Sequence, residues 1–421
     1  MGFFTLVFKG VPSMAFASSS LTPPSHSFSI IVHCHLHWDF VWQRPQQFLS
    51  RLSKKHRVLF VENAFFHNGL AQPYAEILPC ADYPNISILH MHLDRAHRED
   101  EAYIVAQSRR LLEETLRGPL KGKFDRAVEW FYNPMSVEAH LGQHQTIATV
   151  YDCMDELSQF KNAPKNLVER EARLLKAADV VFAGGRKMWQ SKSRHNSNAH
   201  FYGCGVDVAH FGKARLNSTE IPFDIRHIEG PILGFFGVVD ERMDYDLIAR
   251  LSDAHPEWNL VIVGPVAKVN PADFPRAANI HWLDGRDYAH LPHYTKAFDV
   301  ALMPFALNEA TEYINPTKAL EYMATGTPIV STPVPDVVSN FASVVKISRD
   351  SDDFVRLCEA QVAQVDKLAV ERGLKMAQEN TWDAIVAKLE KHVEDAIAKK
   401  AAREKPVASS LSSSQIAVSA A

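Results

Sequence analysis

No stretch of this chain stays apolar for the ~18 residues that a membrane-spanning helix requires, which excludes an integral helical protein. Charge of one sign is also lacking. Lys and Arg number 45 against 49 Asp and Glu, a formal charge of -4, and this balance gives no positive field for nucleic acid, so no nucleic-acid partner is expected. Cysteine is sparse: Cys34, Cys80, Cys153, Cys204 and Cys358 are odd in number and share no short spacing. That pattern argues against both a zinc knuckle and a disulfide framework, and a reducing, cytoplasmic compartment is the expectation. No internal repeat is visible.

What is present suffices for two cores. At 421 residues, 46% hydrophobic and 22% charged, the chain exceeds what one core supports and reads as two domains of ~200 residues each. Residues 1–27 contain AFA followed by SSS after a short apolar stretch, the form of a signal-peptide cleavage site. The stretch has no positive n-region, Lys9 interrupts its apolar run and Pro12 sits within it. It therefore reads as a disordered or mis-started extension. Residues 399–421, rich in Ser and Ala, read as a disordered tail.

From Phe28 onward short apolar strands alternate with amphipathic helical stretches: FSIIVHC, then PQQFLSRLSKKH, then RVLFVEN. The series continues through ISILHMH, RAVEWFY, TIATVYD, VVFAG and HFYGCGV. A loop rich in Pro and charge, STEIPFDIRHIEGP, interrupts it, and ILGFFGV opens a second series with NLVIVGP, NIHWLD, VALMPF, PIVST and SVVKIS. Such alternation predicts parallel sheets with crossover helices and ligands at the carboxyl ends of the strands. The expected fold class is α/β: two Rossmann-like doubly wound domains, 28–212 and 213–398, the second carrying the C-terminal helices, face each other across a cleft.

The segment YINPTKALEYMATGTPIVSTPVPD, residues 313–336, carries the most chemistry. Pro316 near the start and Gly326 after the last turn punctuate a helix. Lys318 and Glu321, three apart, share a face near its N-terminus. A lysine beside a helix N-terminus suits a phosphate, and a carboxylate one turn on can accept hydrogen bonds from ribose hydroxyls. Spacing alone favours a surface Lys–Glu pair. Upstream, in GFFGVVDERMDYDLI, Gly237 at a strand end is followed by Arg242, with Asp240, Glu241 and Asp244 around it, so a structural ion pair competes with phosphate binding there.

In order along the chain, these motifs resemble the nucleotide-sugar glycosyltransferases of the GT-B architecture, specifically the family 4-like group. EYMATGTPIVST has the form of that group's Glu-helix, small residue, Gly and apolar strand, and GVDVAHF, NIHWLDGRDYAHLP and FDVALMPF fall in the required order. WDFVWQRPQQFLSRL and YDCMDELSQFKNAP resemble a bacterial subgroup associated with surface polysaccharides. The resemblance covers residues 28–395. It implies transfer of a sugar from a nucleoside-diphosphate sugar to a glycan or lipid-linked acceptor, with retention favoured. It further implies donor binding by Gly237, Arg242, Arg286, Lys318 and Glu321, with Arg242 and Lys318 neutralising the leaving diphosphate and neither a metal nor another cofactor required. Two positions depart from the pattern: Tyr313 stands where retaining members have a second glutamate, with Glu312 out of register, and Tyr151 stands where many have a sugar-contacting His. Those departures keep open a nucleotide-sugar 2-epimerase of the same fold and a non-catalytic nucleotide-sugar binding protein.

The first-domain stretch HCHLHWDFVWQRPQQFLSRL, residues 33–52, would face the cleft by the strand-end rule. His33, His35 and His37 alternate as ligands on one strand face would, but no carboxylate or cysteine set completes a metal site. At least one of Trp38, Phe40 and Trp42 is expected in the core. His37, Trp38, Asp39 and Arg44 are the acceptor-side candidates, since a sugar offers hydroxyls to polar groups and an apolar face to an indole. In YDCMDE, Asp152 and Asp155 form a second expected cleft-facing pair, Asp152 as a candidate catalytic group, with helix capping by Asp155 or Ser158 as the alternative. The basic run RKMWQSKSRH, residues 186–195, is either a solvated face or a peripheral contact at the inner face of a membrane.

Overall fold

The computed structural model describes residues 28–404, except 161–162, 310 and 315 and the side chains of 313 and 404. The expected extension 1–27 and the tail beyond 404 lie outside the described residues.

In the first domain β1 (Ser29–His33), β2 (Arg57–Val61), β3 (Phe65–His67), β4 (Tyr74–Pro79) and β5 (Ile86–Asp94) precede β6 (Ala127–Phe131). β7 (Thr146–Cys153), β8 (Val180–Ala183) and β9 (Ala199–Phe201) follow. They form one sheet in the order β3-β5-β2-β1-β6-β7-β8-β9, with β4 antiparallel to β5 and the other pairings parallel. The second domain holds β10 (Ile232–Phe236), β11 (Asn259–Val263), β12 (Ile280–Leu283), β13 (Val300–Met303), β14 (Ile329–Ser331) and β15 (Lys346–Ile347). These run parallel in the order β12-β11-β10-β13-β14-β15.

Both sheets are therefore doubly wound, as the alternating pattern predicts. Their central strands β1, β6 and β10 are buried along their whole length because helices cover both faces. In β1, Ile30 and Val32 enter one core cluster and Ile31 another; in β10, Ile232 and Phe236 face one cluster while Leu233 and Phe235 face a second. The strand order reverses beside β1 and beside β10, so the loops following β1, β6, β10 and β13 open at the crevice where such folds take ligands.

Two features depart from the sequence expectation. β3 and β4 form a half-exposed edge that has too little continuous apolar character to announce itself. The helix Trp382–Glu404, expected with the second domain and a tail from 399, packs instead on the first. Trp382, Ile385, Val386, Leu389, Val393 and Ala396 recur at helical spacing and join the core with Ile30, Val32 and Phe48. The helix runs on to Glu404, and Lys400 Nζ donates to the Thr146 carbonyl at 3.3 Å. Among the described residues no helix is long and apolar enough to cross a membrane.

Candidate active site in the interdomain cleft

A cleft of about 1350 Å³ separates the domains, lined from both sides. On the second-domain wall β10 is followed by Gly237, whose φ of +141° is open chiefly to glycine. A Cβ there would lie 2.2 Å from Lys318 Cε and 2.5 Å from its Nζ, so the bare backbone is what lets the ammonium come down on the turn. Gly264 meets the same turn from β11; a Cβ on it would lie 1.7 Å from the Gly237 carbonyl oxygen.

Lys318 is the first residue of the helix Lys318–Thr325, which Gly326 ends in the left-handed conformation (φ 77°), as its sequence predicts. Thr317 is the N-cap, so Pro316 stands one residue outside the helix rather than in its first turn. Among the described residues no carboxylate lies within ion-pair distance of Lys318 Nζ, which sits 5.4 Å from the Phe235 ring centroid. Glu321 is buried one turn on and also lines the cleft. Burial raises its pKa to about 7, against the opposing pull of Lys318, and burial lowers that of Lys318, against the pull of Glu321. An anion entering beside Lys318 would oppose that lowering.

The other two basic candidates are less available. Arg242 lines the cleft, but its Nε and Nη2 donate to both Asp240 oxygens at 2.7–3.1 Å. One edge of the guanidinium is thus held by a structural ion pair. Arg286 also lines the cleft, with every nitrogen committed: Nε to the Tyr294 hydroxyl (2.7 Å), Nη2 to Asp224 (2.9 Å) and Nη1 to the carbonyls of Asp284 and Gly285. It fastens the interdomain loop to the second domain, and this replaces the donor-binding role expected for it.

On the first-domain wall the three histidines part company, because β1 ends at His33 and the backbone bends. His33 is buried against Glu129 (3.0 Å), His37 turns outward to Glu62 (2.6 Å), and His35 faces the cleft with its Nδ1 buried and without a hydrogen-bond partner. The alternate spacing therefore builds no metal site. His37 lies outside the cleft, contrary to expectation. Trp38 is core, edge-on to Phe60 and Trp42, while Asp39 and Phe40 are exposed on the cleft rim.

Arg44 and Asp152 need correction together. Arg44 Nε donates to Asp152 at 2.9 Å and Nη1 to the Tyr202 carbonyl at 2.7 Å; Asp152 is fully buried. A carboxylate sealed behind a guanidinium cannot reach an acceptor hydroxyl, so Asp152 does not face the cleft as expected. Arg44 touches the wall, but its charge is committed to this pair, which docks the start of helix Arg44–Leu52 against β7. Asp155 does line the cleft, within electrostatic reach of His35 and Arg242, and does not cap the turn after it. Tyr151 is buried and donates to Glu171 at 2.6 Å. Tyr313 lies outside the described side chains, and Glu312 pairs with Lys187 across the domains.

That last pair also changes the reading of the basic run. Arg186 N and Nη2 donate to Asp336 and Asn340 of the second domain, and Lys192 is buried between Glu156 and Glu171. The helix Arg186–Lys192 is a strut between domains: Arg186 and Lys187 reach across to the second domain and Lys192 is buried in the first.

Residues 230–362 match the family model described as "Glycosyl transferases group 1". A curated relative named "Putative teichuronic acid biosynthesis glycosyltransferase TuaH", from Bacillus subtilis (strain 168), is 24% identical over 265 residues. The match covers 58% of this chain and 66% of that protein, just under two thirds of it. Among solved structures, a sucrose-phosphate synthase from Thermosynechococcus elongatus superposes with a TM-score of 0.65 at 14% identity, covering 89% of this chain and all of that one. The E. coli trehalose-6-phosphate protein bound with UDP-2-fluoro glucose gives 0.63 at 12%, covering 88% and 99%. A Burkholderia xenovorans trehalose-phosphate synthase in complex with glucose-6-phosphate gives 0.64 at 11%, covering 87% and 100%. The fold is GT-B, and residues 230–362 of the second domain are similar to the group 1 glycosyl transferases.

Within this cleft several residues escape sequence reasoning. Gly264 follows β11 in NLVIVGP, and its close approach is visible only once β10 and β11 are paired. Tyr288 spans the domains: its hydroxyl accepts from Gln47 at 3.2 Å and its ring stacks on His210 at 4.4 Å. Phe160, from the first domain, lies under Lys268 Nζ at 4.0 Å. Nothing in local spacing signals these contacts, which join residues far apart in the chain.

Proposed function

We propose that the cleft binds a nucleoside-diphosphate sugar and transfers the sugar, with retention, to a glycan or lipid-linked acceptor in surface-polysaccharide biosynthesis. The observation that carries this reading is the Lys318 ammonium, without an ion-pair partner among the described residues, held on the side-chain-free Gly237 turn beside Glu321. A diphosphate laid on that turn meets backbone N–H groups, the helix N-terminus and the ammonium together. As the bond to the anomeric carbon breaks, negative charge grows on the diphosphate. Lys318 and the guanidinium edge that Asp240 leaves open then stabilise the transition state more than the bound donor, with no metal in the step.

Glu321, one turn along, takes the ribose hydroxyls. Asp155, His35 and Asp39 line the first-domain side of the cleft, which supports assigning the acceptor to that wall. The process named for the Bacillus relative, and the UDP-sugar and sugar phosphate bound by the structural neighbours, support the substrate classes. Five cysteines unpaired with one another support a cytoplasmic setting.

A thermal-shift panel of nucleoside diphosphates and their sugars tests the reading. A ligand at ~100 times its dissociation constant adds about 2.7 kcal/mol. At least one nucleotide sugar is expected to stabilise the wild type and to lose that effect in Lys318→Ala; no response to any of them would refute the donor assignment.

A further inference from the structure

On the face of the first sheet turned away from helix Glu101–Arg117, β3, β4 and β5 gather imidazoles around one carboxylate. In the antiparallel pair Glu76 of β4 lies opposite His90 of β5, and Tyr74 opposite His92. His90 and His92, two apart on β5, project from the same face. One ligand atom each from Glu76, His90 and His92 lie within 4.8 Å of one another, a set that a small inward adjustment would close around a single cation.

His92 is the telling member. It is 8% exposed, its Nε2 is buried without a hydrogen-bond partner, and that atom lies 3.7 Å from a Glu76 carboxylate oxygen. Its other nitrogen, Nδ1, is 2.8 Å from His67 Nε2 of β3, and Tyr74 stacks on the ring at 4.5 Å. The nitrogen facing away from the set is therefore fixed by a hydrogen bond, while the one facing into it is bare. Metal-bound histidines are oriented in this way.

We propose that Glu76, His90 and His92 bind one zinc-like divalent ion in a structural site, separate from the cleft chemistry and from the His33, His35, His37 spacing. Two imidazoles and one carboxylate suit zinc better than magnesium or calcium, which prefer all-oxygen shells. The ion would pin the edge strand β4 to β5. It would also steady His90, whose Nε2 lies 3.1 Å from Glu62, the residue that accepts from Trp38 N at 2.8 Å and holds the loop lining the cleft.

Calorimetric titration of the full, chelator-stripped chain with zinc chloride tests this. One equivalent is expected to bind with micromolar or tighter affinity and to raise the melting temperature, while magnesium and calcium do neither. Glu76→Gln, at an exposed position that leaves the core intact, and His67→Phe should each weaken binding about 10- to 100-fold, as loss of a ligand or its orienting partner does. His90→Ala combined with Glu76→Gln should abolish it. No uptake by the wild type, or equal affinity and stoichiometry in Glu76→Gln and the double variant, would overturn the proposal.

Discussion

Lys318 and Arg242 are both basic and both line the cleft, yet their surroundings give them different weight. Among the described residues no carboxylate forms an ion pair with Lys318, whereas Asp240 already grips Arg242 on two nitrogens. Lys318→Ala is therefore expected to lower turnover at saturating substrates by ~10² to 10³, the loss typical of one electrostatic donor. Arg242→Ala should lose less turnover. Equal losses would place the leaving charge between the two residues. Glu321, if it contacts ribose alike in ground and transition states, should show the opposite signature: Glu321→Ala raises the donor KM more than it lowers kcat.

Glu321 also makes a pH prediction. Its pKa is raised by burial from 4.5 to about 7, so its contribution to stability is present below the lower value and is lost as pH rises through the upper one. Glu321→Gln removes that titration. The melting temperature of the variant relative to wild type should rise between about pH 5 and about pH 8. A constant difference would show that the carboxyl is not held protonated in the fold.

At the scale of elements, the helix Arg44–Leu52 shows where the sequence was readable. Its apolar spacing after β1 announces a crossover helix, and Phe48, Leu49 and Leu52 are indeed buried. The Lys318–Thr325 helix was equally legible, because its stop signal and its Lys–Glu spacing are local. The partner of Arg44 was not. Asp152 lies 108 positions away, and an Arg and an Asp at strand ends read alike whether they face a ligand or each other. The half-exposed β3–β4 edge escaped for a related reason, since its order comes from pairing with β5 rather than from its own apolar character.

The buried ion pair makes its own prediction. Removing one partner leaves an uncompensated buried charge, so Arg44→Ala should cost about 3–5 kcal/mol in denaturant unfolding. Nucleotide affinity in the folded fraction should change little, because the donor wall lies in the other domain. Intact stability with lost acceptor use would return Arg44 to the acceptor site.

For the molecule as a whole, the described residues cross between domains twice, and the two crossings run side by side. Val206 N donates to the Asn380 carbonyl at 3.0 Å and Trp382 N to the Val206 carbonyl at 3.3 Å, a parallel bridge between residues 206 and 381. Gly205 permits the approach: a Cβ there would lie 2.9 Å from Trp382. Beyond the bridge the last helix returns to the first domain, so that domain is completed only by residues that follow the second in sequence. Trp382 anchors this return, fully buried and edge-on to Phe48 at 5.6 Å. Trp382→Ala should therefore cost about 3–5 kcal/mol, as large-to-small substitutions of buried aromatics do. The loss should fall on the first domain. A nucleotide that stabilises the second domain should then split thermal unfolding into two steps, the earlier one lowered by the substitution and the later one still raised by ligand. A single step that moves as a unit in both experiments would mean that the paired crossings couple the domains into one cooperative fold, and that cleft closure proceeds by small displacements within it rather than by independent motion of two bodies.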